Sequence, residues 1–162
     1  MIVNEFIYKN QVQNLNTRIK FIDFSKESSF ILLEDYLEEV LVIDIQQKKV
    51  INNKGFFDME WMGNGLKYSS NLKNIHHIYE DTIKECIIVR HPEKDIVAVG
   101  DTLGCIRLFK YPANEDEKYF LCRTDHIGKI SNIFFSFDNQ YLITSSEFDK
   151  AAYMYKWTNL DD

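Results

Sequence analysis

The carboxyl-terminal third of the sequence contains the residue types of a nucleophilic catalyst. His126 could act as a base, Asp149 could orient it, and a hydroxyl of Thr144 or Ser145 could attack a substrate. A hydrolase of the α/β type carries its serine in a G-x-S-x-G turn, and neither hydroxyl has that setting. This setting does not indicate a nucleophilic catalyst, and we predict that the chain is not an enzyme.

Acids at predicted turns are a second candidate for chemistry. Asp35, Asp101 and Asp149 each lie between two short apolar runs, where a chain reversal is expected. Acids at such turns mostly accept hydrogen bonds from backbone N–H groups. The sequence therefore predicts turn-stabilising acids rather than carboxylates that work as acid and base.

Histidine and cysteine spacing does not favour a metal site. His76 and His77 are adjacent, and neighbouring residues of a strand point to opposite faces, so we interpret them as a solvated loop pair. The cysteines are far apart and form no C-x-x-C pattern, which predicts reduced, buried thiols in a cytosolic protein: Cys86, Cys105 and Cys122. We predict no metal and no cofactor.

Composition and charge narrow the classes of partner. The chain has 162 residues, 45% hydrophobic and 14% aromatic, so it can build an ordinary globular core. Its formal net charge is −6, which removes the main electrostatic attraction to nucleic acid and to acidic surfaces. No apolar run approaches the roughly 20 residues of a membrane helix. We expect a cytoplasmic protein that binds neither nucleic acid nor membrane.

The elements that must position these residues are repeated hairpins. Runs at 96–99 and 105–109 flank a turn that contains Gly100, Asp101 and Gly104. The same plan recurs upstream, around Asp35, and downstream, around Asp149. Repeated hairpins of this kind are typical of β-propeller blades, so the sequence predicts an all-β fold.

The spacing of the turns predicts how the chain is divided. Asp101 and Asp149 lie 48 positions apart, close to one blade of about 40–45 residues, whereas Asp35 and Asp101 lie 66 apart. The excess matches an irregular stretch with Phe56, Phe57 and Trp61, which either pin it to the blades or form an aromatic patch for a partner. We predict a single partial propeller over 1–162, divided as follows: blade one about 17–54, an interblade insertion about 55–81, blade two about 82–124 and blade three about 125–158.

Each predicted blade has four antiparallel strands, except that the last lacks its outer strand. The expected strands are 19–24, 30–33, 40–45 and 48–51, then 83–89, 96–99, 105–109 and 118–123, then 130–135, 141–144 and 152–157. A separate strand at 1–8 could supply the missing outer strand to another chain, which predicts a homodimer by strand exchange.

The third blade resembles a WD repeat. His126 precedes its first strand, Thr144 and Ser145 end its second, Asp149 lies in the turn and Trp157 lies in the third. In WD repeats such a set forms a buried relay that locks the loops of the blade. Phe109 and Ile43 take the place of the tryptophan in the other two blades.

The order of several segments is similar to the echinoderm microtubule-associated protein-like family. The segments are Phe21-Ile22-Asp23-Phe24-Ser25, Asp58-Met59-Glu60-Trp61, Ala98-Val99-Gly100-Asp101 with Leu108-Phe109-Lys110-Tyr111-Pro112, and Ser131-Asn132-Ile133-Phe134-Phe135. The resemblance implies the end of a tandem propeller that associates with tubulin or microtubules as a cytoskeletal scaffold. The alternatives are an adaptor subunit of an unrelated protein complex and a truncated fragment of a larger propeller protein.

Overall fold

The chain forms three antiparallel sheets in a computed structural model that describes residues 18–37, 39–51, 59–61, 63, 67–80, 82–114 and 119–156. Short runs rich in Ile, Val, Leu and Phe, separated by turns, favour strands over helices throughout. The strands are β1 (Ile19–Phe24), β2 (Phe30–Asp35), β3 (Val40–Asp44), β4 (Lys49–Ile51), β5 (Ile87–Arg90), β6 (Ile96–Gly100), β7 (Ile106–Lys110), β8 (Leu121–Arg123), β9 (Ile130–Phe135), β10 (Tyr141–Ser146) and β11 (Ala151–Lys156).

Each sheet is a meander in which every strand pairs with the next one along the chain. The first sheet has the order β1-β2-β3-β4, the second β5-β6-β7-β8 and the third β9-β10-β11. We name them blade one, blade two and blade three. The predicted fold class, an all-β partial propeller, is confirmed, and the third sheet has three strands in the part of the chain that the structure describes. The strand predicted at 1–8 lies outside those residues.

The segment between blades one and two contains helical turns that the sequence did not predict. Helix α1 (Lys73–Ile78) carries His76 and His77, which are therefore helical and not part of a loop or strand. A 3-10 turn covers Ile83–Glu85, so the strand predicted from Ile83 begins only at Ile87. Among the described residues, no helix is long and apolar enough to cross a membrane.

Three apolar clusters hold the sheets together. Blades two and three share one directly, built from Ala98, Ile106, Leu108, Ile130, Ile133 and Leu142. The other face of blade two packs against the insertion, whose Leu72 and Ile75 are fully buried. Blade one packs its Leu32 and Val42 against Trp61 of the same insertion. The insertion therefore fills the space between blades one and two.

Candidate functional site

The turns of blades one and two are built in the same way. Asp35 Oδ1 accepts hydrogen bonds from the N–H groups of Leu37 and Glu39, at 2.8 and 3.0 Å. Asp101 Oδ1 accepts from the corresponding N–H groups of Leu103 and Cys105, both at 2.9 Å. A carboxylate that accepts two backbone N–H groups fixes the course of its turn. The structure thus places these two acids at equivalent turns.

In blade three this position belongs to Ser146 and not to Asp149. Ser146 Oγ accepts from the N–H of Phe148, two residues further on, at 3.3 Å, as the aspartates do for Leu37 and Leu103. Ser146 lies 45 positions after Asp101, which is within one blade length. The 48-residue spacing from Asp101 to Asp149 therefore compared residues that are not equivalent, because Asp149 lies three residues past Ser146.

Asp149 instead belongs to a network around His126. His126 Nδ1 lies 2.8 Å from Asp149 Oδ2, and His126 Nε2 lies 2.8 Å from Thr144 Oγ1. Asp149 Oδ2 also accepts from the N–H of Ile127 at 3.0 Å, and its Oδ1 from that of Ala151 at 2.9 Å. The carboxylate therefore joins the loop before β9 to the turn before β11.

Ser145 is not part of this network. Its Oγ makes only long contacts, at 3.4 Å, with Ser131 Oγ and Asn132 Nδ2. Of the two hydroxyls that the sequence left open, Thr144 is the one that meets His126. The ring of Tyr153, which the sequence did not single out, stands edge-on to His126 with a centroid separation of 4.6 Å.

The burial of the network determines whether its hydroxyl could react with a substrate. The side chain of His126 is 0% exposed, and Thr144 is likewise fully buried. Burial pushes the pKa of Asp149 upward, but the N–H groups of Ala151 and Ile127 together with His126 outweigh it, so the pKa lies below its ordinary value. A hydroxyl that no substrate can reach cannot act as a nucleophile, so the arrangement serves to lock two loops.

The third-strand position that the WD pattern gives to tryptophan is held by Tyr155. Tyr155 pairs with Leu142, which lies four residues before the turn residue Ser146. In the same register, Phe109 pairs with Val97, four residues before Asp101, and Ile43 pairs with Ile31, four residues before Asp35. Trp157, which the sequence assigned to this position, lies outside the described residues. Burial and the neighbouring Asp125, whose Oδ2 accepts from the Tyr155 hydroxyl at 3.0 Å, raise the pKa of Tyr155 to about 12.

The insertion is pinned by Trp61, so the suggestion that this residue forms an exposed partner patch is wrong. Trp61 is 3% exposed, lies against Leu32 and Val42, and forms a backbone bridge with Ser25. A large apolar ring gains most free energy when it is removed from water in this way. Phe56 and Phe57 lie outside the described residues.

A buried ion cluster, which sequence reasoning missed, holds the same insertion to blade one. Glu34 is fully buried, with Lys67 Nζ at 2.6 Å and Lys20 Nζ at 2.8 Å, and it accepts a short hydrogen bond from the Tyr68 hydroxyl. Burial raises the pKa of Glu34, but its bonds to Lys20, Lys67 and Tyr68 outweigh that effect and lower it. Two of these partners, Lys67 and Tyr68, come from the insertion, and no local sequence pattern predicts that they contact Glu34 of β2.

Large apolar side chains point outward from the turns. Leu37, Leu103 and Phe148 are each two residues past the residue that holds their turn, and they are 65%, 77% and 65% exposed. Ile127, beside Asp149, is 75% exposed. We call Leu103, Ile127 and Phe148 the turn-tip patch, since they surround the junction of blades two and three, with Leu37 at the same turn position on blade one.

A cavity of about 320 Å³ adjoins this patch at Leu103, lined also by Ile78, Tyr79, Thr82, Asp101, Thr102 and Arg107. Arg107 Nη1 donates to Asp101 Oδ2 at 2.5 Å and lies 2.6 Å from the Tyr79 hydroxyl. The cavity is therefore lined both by apolar side chains and by the paired charges of Arg107 and Asp101. Within the described residues, no group of three histidine, cysteine or acidic side chains could hold a metal ion.

Comparison with known proteins identifies the fold but no family. No family model and no curated protein matches the sequence. The computationally designed Ika4 protein aligns with a TM-score of 0.55 and 9% identity, over 93% of this chain and 99% of its own. At that identity the likeness concerns the fold alone. These alignments do not support the resemblance to the echinoderm microtubule-associated protein-like family.

Two other solved structures give looser alignments. A chain of the mitotic checkpoint complex aligns with a TM-score of 0.38 and 10% identity, over 89% of this chain. The β-propeller domain of Myceliophteria thermophila Cps50 (Swd1) aligns at 0.46 and 11% identity, over 93% of this chain. This chain spans 35% and 44% of those two chains. Such low TM-scores support no statement about function.

Proposed function

We propose that the chain is a non-enzymatic protein-binding scaffold of the WD-repeat type. The observation that carries the proposal is the repeated outward placement of a large apolar side chain at the equivalent turn position of each blade, Leu37, Leu103 and Phe148. Exposed apolar groups that cluster on one surface usually mark a site of interaction with another protein.

The construction of the turn-tip patch supports binding rather than chemistry. A Cβ on Gly128 would lie 3.1 Å from the ring of Phe148, and a Cβ on Gly104 would lie 2.3 Å from the carbonyl oxygen of His126. The turn of blade two and both loops of blade three are therefore in contact. Because side chains cap these turns, a partner would meet a surface that is already ordered and would lose little entropy in fixing it.

Tubulin is the partner that the family resemblance implies, and a cytoplasmic, cytoskeletal location belongs to the same proposal. With a net charge of −6 the chain would gain little from charge attraction to an acidic lattice, so the contact would depend on apolar fit. Co-sedimentation with polymerised microtubules tests this part. Wild-type protein that stays in the supernatant at every microtubule concentration rejects tubulin as the partner.

The binding surface is tested separately, by the double variant Leu103→Ser, Phe148→Ser. Phe137→Ser is the matched control, because Phe137 is fully exposed at the turn between β9 and β10, on the opposite edge of the blade. Proximity labelling in cells, compared among wild type and both variants, should recover partners that the double variant loses and the control keeps. Such a partner other than tubulin would favour the adaptor alternative, whereas identical recovery from all three would refute the patch as a binding surface.

A further inference from the structure

The interface between blades two and three has two distinct sides. Blade two contributes a cross-strand row of Val89, Ala98 and Leu108, which we call a forward face. Blade three contributes Ile130 and Ile133 of its first strand, which begin what we call a rear face. Ala98, Leu108, Ile130 and Ile133 are almost fully removed from water and Val89 is partly buried, so the two sides define what one blade requires of the next.

The forward face is repeated on blade three, where nothing in the described chain covers it fully. Ile143 lies three residues before Ser146, as Ala98 lies three before Asp101, and it pairs with Phe134 and Met154. The row Phe134–Ile143–Met154 is thus equivalent to the row on blade two. Met154 is 64% exposed, whereas the equivalent Leu108 is 4% exposed.

The rear face is repeated on blade one. Ile22 pairs with Leu33, two residues before Asp35, just as Ile133 pairs with Thr144, two residues before Ser146. The first strand of each blade also shifts register at its start, where Ile19 pairs with Asp35 and Ile130 pairs with Ser146. Phe24 continues the row on blade one. Ile22 is 55% exposed, whereas the equivalent Ile133 is 6% exposed. Leu33 in the same row is buried, but within the described residues no forward face lies against Ile22 and Phe24, which is 46% exposed.

We infer that these two terminal faces bind each other in a head-to-tail dimer, with the forward face of blade three seated on the rear face of blade one of a second copy. The two exposed faces repeat the two sides of the interface between blades two and three, and within the described residues each is without its counterpart. If either face bound the identical face of a second copy, two forward faces or two rear faces would meet, unlike the forward-to-rear contact between blades two and three. A heterologous contact made twice between two copies closes a ring of six blades and leaves neither face exposed.

This inference is independent of the turn-tip patch and uses different residues. It also differs from the predicted strand exchange by residues 1–8, which lie outside the described part of the chain. A second copy is the partner of matching shape, and blades supplied by a longer polypeptide are the competing outcome. The test must therefore distinguish self-association from a monomer and a closed pair from open growth.

The experiment is sedimentation velocity on the full chain from 1 to 100 µM. A closed pair has a mass of twice the 19.2 kDa chain at all but the lowest concentrations. Met154→Glu spoils only the forward face and Ile22→Glu only the rear face, and each buries an uncompensated charge, so each should weaken dimerisation by about 100-fold or more. Phe137→Glu, in the turn between β9 and β10 and outside both rows, should leave the dimer unchanged, and circular dichroism of all three variants checks that they fold.

Mixing the two variants gives the decisive result. A Met154→Glu chain keeps its rear face and an Ile22→Glu chain keeps its forward face, so the mixture should regain a dimer through one intact contact. A mixture that stays monomeric would overturn the head-to-tail arrangement. A wild-type monomer at 100 µM would overturn self-association in favour of missing blades, and growth beyond two copies would overturn the closed ring.

Discussion

Replacing Thr144 by valine should destabilise the protein by about 1–3 kcal/mol, because it leaves a ring nitrogen of His126 buried without its partner. His126 Nε2 lies 2.8 Å from the Thr144 hydroxyl, and neither side chain is accessible to water. Valine keeps the branched shape of threonine, so the change removes the hydroxyl with little change in volume. An exposed hydrogen bond would cost less, about 0.5–1.5 kcal/mol, because water would replace the lost partner.

Urea unfolding at one fixed protein concentration measures the change, since self-association would otherwise alter the apparent stability. With an m-value of about 2 kcal/mol/M, the unfolding midpoint of Thr144→Val should fall by about 0.5–1.5 M. Ser145→Ala is the matched control, because its hydroxyl makes only 3.4 Å contacts, and it should cost less than about 0.5 kcal/mol. Equal midpoints for the two variants would refute the assignment of Thr144 to the network.

Three further outcomes follow from local geometry. Gly104→Ala should cost more than about 2 kcal/mol, because Gly104 has φ +84° and a Cβ would strike a backbone oxygen; an unchanged melting temperature would contradict this. Iodoacetamide should label exposed Cys122 first and Cys86 only on unfolding, since burial and Asp101 raise the pKa of Cys86 to about 12; mass spectrometry reads this directly. Because the pKa of Asp149 is lowered in the folded protein, its ionised carboxylate should stabilise the fold above about pH 4, and this stability is lost as the pH falls through the folded pKa. The free energy of unfolding of Asp149→Asn should therefore fall less steeply with decreasing pH than that of the wild type.

The strands were largely predictable because each one is decided by its own residues. Most predicted strand ends lie within two residues of those observed, since β-branched and aromatic runs end at turns that hold Asp35 or Asp101. Helix α1 was not predicted, because six residues are too short to show a helical period. The 3-10 turn at Ile83–Glu85 was missed for the same reason, since its apolar residues also fit a strand.

The predictions about the site that were wrong or missing concern contacts between residues far apart in the sequence. The choice of Thr144 over Ser145 depends on which side of β10 faces the loop before β9, and the sequence leaves that open. Asp149 was matched to Asp101 because both are acids near a turn, whereas hydrogen-bond geometry gives that position to Ser146. The ion cluster joins Glu34 to Lys67 and Tyr68, which lie more than 30 positions away in the sequence, so neither segment predicts the other.

Because of the insertion, the three blades are not equivalent in how they unfold. Blades two and three share one continuous core, but the core of blade one is completed by Trp61, and the rear face of blade two is covered by Leu72 and Ile75. Unfolding of the insertion would therefore strip one side from two blades at once. We therefore expect the amide hydrogens of blade one and the insertion to exchange together, at a lower free energy of opening than those of the core that blades two and three share.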